Sequence, residues 1–208
     1  IKYTDIRNML LEIEDYIEQY KLEREGKDGY LKLRQDYNSG KTEPLMLYTL
    51  LCYSFSNQIR FNKQGKFNMP YGKRNFNKSL REKFIAFSER LHTIDCIFTS
   101  LSFEQFDFSV LTSNDLVYCD PPYLNSFATY NENGGWTEED EATLLSLLDE
   151  LNAHGIRFAL SNNLKYNNPL VDIWKDKYNV HILNADYNNC NYHKKDKSRD
   201  KEILVTNY

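Results

Sequence analysis

The chain has 208 residues, of which 41% are hydrophobic and 14% aromatic, enough to bury a core in one domain or in a domain with a subdomain. Its formal net charge is -4, so the total charge gives no sign of nucleic-acid binding. The four cysteines form no Cys-x-x-Cys pair, which favours buried thiols in a reducing cytosol over disulfides or zinc. No apolar run is long enough to span a membrane, and we expect a cytoplasmic protein.

The basic residues are concentrated in one part of the chain. Residues 57–83 contain eight lysines and arginines and one glutamate, a local net charge of +7 in a chain whose total is -4. Such a stripe attracts polyanions where it lies, while the acidic remainder of the chain repels them. Charge alone leaves open the alternative that the stripe is an ordinary solvated surface.

The first part of the chain, residues 1–92, is predicted to be a mainly helical domain. Asp5 is suited to cap the first helix, and Pro44 to open the third. Residues 55–72 interrupt the helical pattern on both sides of a Gln64-Gly65 turn, which predicts a β-hairpin. Helices are predicted near residues 5–20, 30–37, 42–51 and 79–91.

Residues 93–208 alternate strands and helices, the pattern of an α/β sheet. Thr137 and Asp140 form a capping-box pattern at the start of a helix, and Gly155 lies near its end. Ligands bind at the carboxyl ends of the strands in open α/β sheets. Strands are predicted at residues 96–98, 116–119, 156–160, 180–183 and 202–205.

The most informative motif is Asp120-Pro121-Pro122-Tyr123, which directly follows the apolar strand 116–119. A carboxylate, two prolines and an aromatic ring at a strand end form a rigid polar pocket that suits a planar group with an exocyclic amine. Oxygens that accept both N–H bonds of the amine localise its lone pair as the transition state develops. The plainer interpretation is a turn that ends the strand and carries a surface tyrosine.

Two separate motifs resemble those of the Dam family, the bacterial and phage DNA adenine N6-methyltransferases. Residues 115–123 are similar to one stretch of that family, and residues 55–62 with 65–72 to another, in the same order and at similar spacing. The resemblance implies an AdoMet-dependent, Rossmann-like methyltransferase sheet with an inserted helical DNA-recognition domain that carries the hairpin. It also implies that the target adenine is flipped out of duplex DNA, because its amine is out of reach inside the stack.

The resemblance gives each matching residue of the catalytic motif a role. Asp120 and the carbonyl of Pro121 would hold the adenine amine, and Tyr123 would stack on the base. Pro122 completes the rigid turn. The methyl group of S-adenosylmethionine would pass directly to nitrogen, without a covalent enzyme intermediate, so Cys119 is interpreted as a core residue. Three residues match positions near the cofactor: Asp120, Ser102 and Phe103.

The hairpin residues carry the DNA contacts that the resemblance implies. Arg60 matches an arginine that reads guanine in the major groove, and Phe55 an aromatic wedge that enters the duplex. Gln58 replaces an apolar residue often found at its position, which leaves the reading of one outer base pair open. The implied DNA-binding set is Phe55, Ser56, Asn57, Gln58, Arg60, Pro70, Lys73 and Arg74.

Plainer interpretations exist for three of these DNA-binding residues, and the family also implies a target sequence. Phe55 could instead be an ordinary core aromatic after a helix. Lys73 and Arg74 could be solvated charges rather than phosphate ligands. The family's usual site, GATC, is the expected target.

One element of the family pattern is absent from the sequence. The family has a Phe-x-Gly-x-Gly loop and a following acidic residue that cradle the methionine and ribose of the cofactor. None of the eight glycines here forms a Gly-x-Gly pattern. We therefore expect a sheet that is incomplete at its N-terminal side, without two central strands, and poor cofactor binding.

The remaining constellations are weaker. The four histidines have no metal-ligand spacing with carboxylates, so no metal site is predicted. Asn162 and Asn163 could face the pocket or simply end their strand. The polar tract 187–201 is interpreted as a mobile loop in preference to a DNA contact.

Three hypotheses follow from different classes of protein. The first is a DNA adenine methyltransferase, in a restriction-modification or other context. The second is an amino-methyltransferase that acts on RNA or on protein glutamine. The third is a non-catalytic DNA-binding fragment. The expected partner is double-stranded DNA, with no membrane and no obligate protein partner.

Overall fold

The structure is a computed structural model that describes residues 5–124, 136–163, 168, 170–183 and 202–208. The chain divides into two compact units, residues 1–100 and 101–208, each with its own hydrophobic core. The tract 187–201 and Cys190 lie outside the described residues, so the loop predicted there stays a prediction.

The described residues of the first unit form five α-helices whose ends follow local sequence signals. They are α1 (Ile6–Gln19), α2 (Leu22–Glu25), α3 (Lys27–Asn38), α4 (Pro44–Tyr53) and α5 (Lys78–Thr93). The Asp5 side chain caps α1, and the Asn77 side chain caps α5 by accepting a hydrogen bond from a backbone N–H. Pro44, in the first turn of α4, has no N–H to satisfy. The predicted helices are confirmed.

Aromatic residues dominate the core of the first unit. Tyr30 and Leu33 of α3 are fully buried, and they belong to the same core cluster as Leu50 and Tyr53 of α4. Phe67, which follows the turn of the predicted hairpin, is 1% exposed and joins this cluster. The hairpin is therefore anchored to the helices by burial of its own side chain.

The segment 54–72 reverses direction as a hairpin, but its arms are not continuous strands. Two isolated bridges close it, one of them between Phe61 and Phe67. At the tip, the side-chain oxygen of Asn62 accepts hydrogen bonds from the backbone N–H groups two and four residues further on, both at 3.0 Å. Pro70 has no N–H with which to continue a ladder. The turn of the predicted hairpin is confirmed, whereas its strands are reduced to bridges.

A four-stranded mixed sheet forms the described part of the second unit, with helices α6 (Glu138–Ala153) and α7 (Leu170–Lys177). The strands are β1 (Leu116–Cys119), β2 (Arg157–Asn163), β3 (Asn179–Leu183) and β4 (Glu202–Thr206), in the order β1-β2-β4-β3. β1 and β2 are parallel, and β4 is antiparallel to both β2 and β3. The α/β class and the capping box at Thr137 are confirmed.

The core of the second unit lies between α6 and the sheet. Leu148 and Leu151 of α6 are buried together with Phe158 and Leu160 of β2. Because β1 and β2 are parallel, their carboxyl ends lie at the same edge of the sheet. The core thus fixes the strand that ends at Cys119, immediately before the predicted catalytic motif.

The strand predicted at 96–98 is wrong. No strand forms there, and Ile97 and Phe98 are 86% and 72% exposed. A strand needs a hydrogen-bonding partner, and no described strand pairs with this segment. Cys96 is exposed, so the buried thiol expected there is also wrong, whereas Cys52 is buried.

Candidate functional site

The Asp-Pro-Pro-Tyr motif begins where β1 ends. The last pair of the parallel ladder joins Cys119 to Leu160, so Asp120 follows directly beyond the β1–β2 pairing. Asp120 is exposed, and the three residues after it are half-buried. Leu124 is only 4% exposed and anchors the far end of the motif. The carboxylate is therefore accessible at the carboxyl edge of the sheet, on a turn that two prolines make rigid.

Glu141 is a buried acid that the sequence patterns did not single out. Its carboxylate accepts hydrogen bonds from the indole N–H of Trp136 and from the amides of Asn162 and Asn168, the Asn162 bond at 3.3 Å. Burial raises the pKa of Glu141, and these hydrogen bonds oppose that shift. The available signal was its place three residues before Leu144, on the apolar face of α6.

The asparagines that end β2 are buried. Asn162 is 1% exposed and Asn163 is 6% exposed. The side-chain oxygen of Asn162 accepts a hydrogen bond from the backbone N–H of Asn163 at 2.7 Å, while its amide is donated to Glu141. Of the two interpretations of this pair, the structure supports a role in the framework of the sheet edge for Asn162.

Two of the three residues predicted near the cofactor, Ser102 and Phe103, lie at the start of a short 3-10 turn, Phe103–Gln105. Ser102 is exposed and caps this turn, and the side chain of Gln105 caps it reciprocally. Phe103 is half-buried, and its ring lies 5.7 Å from the ring of Trp136. Because Trp136 also donates to Glu141, Phe103 rests on a side chain that the buried carboxylate holds in place.

The predicted wedge, Phe55, projects from a strained turn at the end of α4. Phe55 is 57% exposed, so the alternative of a core aromatic is wrong. Ser56 and Asn57 follow it with φ of 56° and 53°, a left-handed conformation that is costly for residues with a side chain. The Asn57 amide donates to the carbonyls of Leu51 and Cys52 at 3.0 and 3.2 Å, which satisfies the end of α4.

The second arm of the hairpin passes close to this turn. The Phe55 N–H donates to the Pro70 carbonyl at 2.9 Å. A Cβ on Gly72 would lie 2.3 Å from the backbone oxygen of Ser54, so only glycine allows this approach. Arg74 donates to the side-chain oxygen of Asn57 at 3.1 Å. Predicted residues of both arms therefore form one surface: Phe55, Asn57, Pro70 and Arg74.

The other predicted DNA contacts are exposed or half-buried. Gln58 and Lys73 are exposed, and Lys73 has a left-handed φ of 52°. Arg60 is half-buried. Its Nε donates to the side-chain oxygen of Asn68 at 2.6 Å, and its Nη2 donates to the backbone carbonyl of Asn68 at 3.0 Å. Arg60 is thus fixed within the hairpin.

Helix α3 holds the hairpin through three polar groups that the sequence analysis missed. Tyr30 and Arg34 both donate to the carbonyl of Met69, at 2.9 and 2.8 Å. Asn38 donates to the carbonyl of Phe67 at 2.9 Å and accepts from its N–H at 2.8 Å. The four-residue spacing of these side chains, which places them on one face of the helix, was the available signal.

The described residues contain no group of three or more His, Cys, Asp or Glu side chains that could hold a metal ion. In the same residues, no helix is both long and apolar enough to cross a bilayer. Cys119 is half-buried, and burial raises the pKa of its thiol to about 11. Such a thiol is protonated at neutral pH and is a poor nucleophile.

Comparison with known proteins places the chain in a family. The profile of the D12 class N6 adenine-specific DNA methyltransferases matches residues 3–189. The chain belongs to this family. The resemblance that the two motifs predicted is therefore confirmed.

Several restriction-modification proteins are similar to the chain. The type II methyltransferase M.FokI of Planomicrobium okeanokoites is 42% identical over 217 residues, which cover 100% of this chain and 33% of that protein. The modification methylase StsI of Streptococcus sanguinis is 38% identical, over 96% of this chain and 32% of its own length. The modification methylase LlaI of Lactococcus lactis is 32% identical, over 99% and 33%. The chain spans about a third of the length of these relatives.

Proposed function

We propose that the protein transfers a methyl group from S-adenosylmethionine to N6 of an adenine flipped out of duplex DNA. The observation that carries the proposal is the exposed Asp120 carboxylate at the carboxyl end of β1, in a chain that belongs to an adenine methyltransferase family. The named relatives, a type II methyltransferase and two modification methylases, support the same class of reaction.

The chemistry assigned to the motif is the activation of a weak nucleophile. The adenine amine shares its lone pair with the ring, so this lone pair must become localised on nitrogen as the nitrogen attacks. The Asp120 carboxylate accepts one N–H and the Pro121 carbonyl the other, and the carboxylate also stabilises the positive charge that develops on nitrogen. Tyr123 stacks on the base and holds the amine in line.

The fit of the cofactor to these residues is partial. Phe103 offers a half-buried ring and Ser102 an exposed hydroxyl, which suit an adenine ring and its polar edge. No Gly-x-Gly pattern occurs in the 208 residues to cradle the methionine and ribose. When bound, S-adenosylmethionine would supply an electrophilic methyl group with its sulfur as the leaving group, and the methylated nitrogen would then lose one proton to solvent.

The hairpin is assigned the role of binding DNA. Phe55 enters the stack and compensates for the lost base stacking, and Arg60 binds a guanine. The residues around them carry a local charge of +7 over positions 57–83, which favours a phosphate backbone. The target is then a short sequence that contains both adenine and guanine, with GATC the first to test.

The test of the proposal is Asp120→Ala, with Asp176→Ala as the matched control. Asp176 is an exposed carboxylate of α7. This helix packs against β3, and β3 and β1 are the two outermost strands of the described sheet. Asp120→Ala should lower the rate of methyl transfer into duplex DNA by about 100-fold or more and leave DNA affinity unchanged, while the control retains both. Normal methylation by the Asp120→Ala variant would refute the proposal.

One observation favours a second candidate, a DNA-binding fragment without catalysis. The absent Gly-x-Gly pattern removes the expected cradle for the cofactor. Calorimetric titration of the 208-residue chain with S-adenosylmethionine distinguishes the methyltransferase from the DNA-binding fragment. Binding in the micromolar range supports the methyltransferase, whereas DNA binding without any cofactor binding supports the fragment.

A further inference from the structure

The guanidinium of Arg60 is already hydrogen-bonded along one of its edges. Nε donates to the Asn68 side-chain oxygen at 2.6 Å, and Nη2 donates to the Asn68 backbone carbonyl at 3.0 Å. These two nitrogens form the side-on edge of the planar group. A single residue therefore occupies the whole of that edge.

Among the described residues, none accepts a hydrogen bond from Nη1, and Nη2 donates only to the Asn68 carbonyl on the side-on edge. The end-on edge, between Nη1 and Nη2, is therefore open. A guanidinium has five N–H donors in a fixed plane, so fixing one edge also fixes the direction of the other. The two parallel donors of the end-on edge match the O6 and N7 acceptors of guanine in the major groove.

We propose that Asn68 is a positioning residue, which fixes Arg60 so that its end-on edge, Nη1 and Nη2, reads the major-groove edge of guanine. The inference rests on the proposed function, since it assigns the geometry of the contact made by Arg60. A free arginine side chain loses considerable rotamer entropy on binding, and Asn68 removes that loss before the DNA arrives.

Asn68 is itself held on both sides. Its N–H donates to the Arg60 carbonyl at 3.0 Å, which ties the two arms of the hairpin together. The residue before it, Phe67, is buried and clamped by Asn38, and the residue after it, Met69, accepts from Tyr30 and Arg34. The position of the guanidinium is thus fixed to helix α3 through Asn68.

The test compares Asn68→Ala with Asn62→Ala, an asparagine at the tip of the same hairpin. The Asn62 side chain accepts hydrogen bonds within the turn and forms none with Arg60 among the described residues. The Asn62→Ala variant therefore reports only on the integrity of the hairpin. A duplex preferred by the wild-type chain is first selected from a random-sequence pool. Each guanine of that duplex is then replaced by 7-deazaguanine, which lacks N7, or by inosine, which retains O6 and N7.

The wild-type chain should lose affinity for the duplex with 7-deazaguanine at one position and keep it with inosine there. Asn68→Ala should reduce that discrimination by about 2- to 12-fold, while Asn62→Ala leaves it intact. Asn68→Asp keeps an acceptor for Nε and should restore discrimination, although its added charge lowers affinity for all duplexes. A purely structural role for Asn68 would give no such rescue.

Two failures are distinguishable. If Arg60→Ala removes the guanine preference but Asn68→Ala does not, the positioning role is overturned and the proposed function stands. If the wild-type chain shows no guanine preference that depends on Arg60, both the role of Arg60 and the inference about Asn68 are overturned.

Discussion

Replacing Phe55 by alanine should separate a DNA wedge from a structural aromatic. A fully buried phenylalanine costs about 3–5 kcal/mol of folding free energy when it is truncated to alanine. Phe55 is 57% exposed, so most of its ring already contacts water and little burial is lost. We therefore expect Phe55→Ala to lower the free energy of unfolding by only about 1 kcal/mol or less.

The effect on DNA should be larger than the effect on stability. An aromatic ring that replaces a lost base-stacking contact contributes about 1–3 kcal/mol, which corresponds to about a 5- to 150-fold change in the equilibrium for base extrusion. Ser56 and Asn57, which are held in a strained conformation, keep the ring projecting, so little ordering cost remains at binding.

The assay places 2-aminopurine at the target adenine and follows its fluorescence, which rises when the base leaves the stack. The matched control is Phe87→Ala, since Phe87 is 61% exposed on α5 in the same unit. Phe55→Ala should lower the fluorescence rise at saturating protein, and Phe87→Ala should not. Equal fluorescence for both variants would refute the wedge, as would a loss of stability near that of a buried phenylalanine.

Two further predictions concern the framework. Gly72→Ala brings a Cβ to 2.3 Å from the Ser54 backbone oxygen, so we expect a loss of about 1–3 kcal/mol in urea unfolding, and wild-type stability would contradict the close approach. Glu141→Gln resembles the protonated acid, and because burial raises the pKa of Glu141, the native state binds that proton more tightly than the unfolded state does. The wild type therefore loses folding stability as the pH rises above the ordinary pKa range of a glutamate. The thermal midpoint of Glu141→Gln minus that of the wild type should accordingly increase between pH 4 and pH 8. The absence of this trend in Glu141→Gln would refute the raised pKa of the buried carboxylate.

The parts of the fold that could be predicted are those set by neighbouring residues. The cap at Asp5, Pro44 in the first turn of α4 and the capping box at Thr137 act within a few residues, so the sequence contains the whole interaction. The strand predicted at 116–119 is likewise confirmed as β1, with both ends correct. The strand at 96–98 failed because pairing depends on a partner far along the chain, and no local pattern reports whether that partner is present.

The candidate site divides in the same way, between residues that are proposed to act on a ligand and residues that hold those residues in place. Asp120, Arg60 and Phe55 stand in motifs, so a role for each could be proposed from the sequence. Asn38, Asn57 and Asn68 could not be assigned their contacts, because asparagine in a sequence is typical of any turn. Each uses its side-chain amide to bind a backbone carbonyl or another side chain. The partner is known only once the chain has folded.

That division has a physical cause. A residue that binds a ligand must keep some of its polar atoms available until the ligand arrives, so that part of its chemistry can be judged from residue type. A residue that positions another must spend its hydrogen bonds inside the fold, and its role exists only when both partners are placed. The Asn68–Arg60 pair shows the consequence: a guanine-reading role for the arginine can be proposed from its motif, but the edge that it presents depends on an asparagine eight residues away.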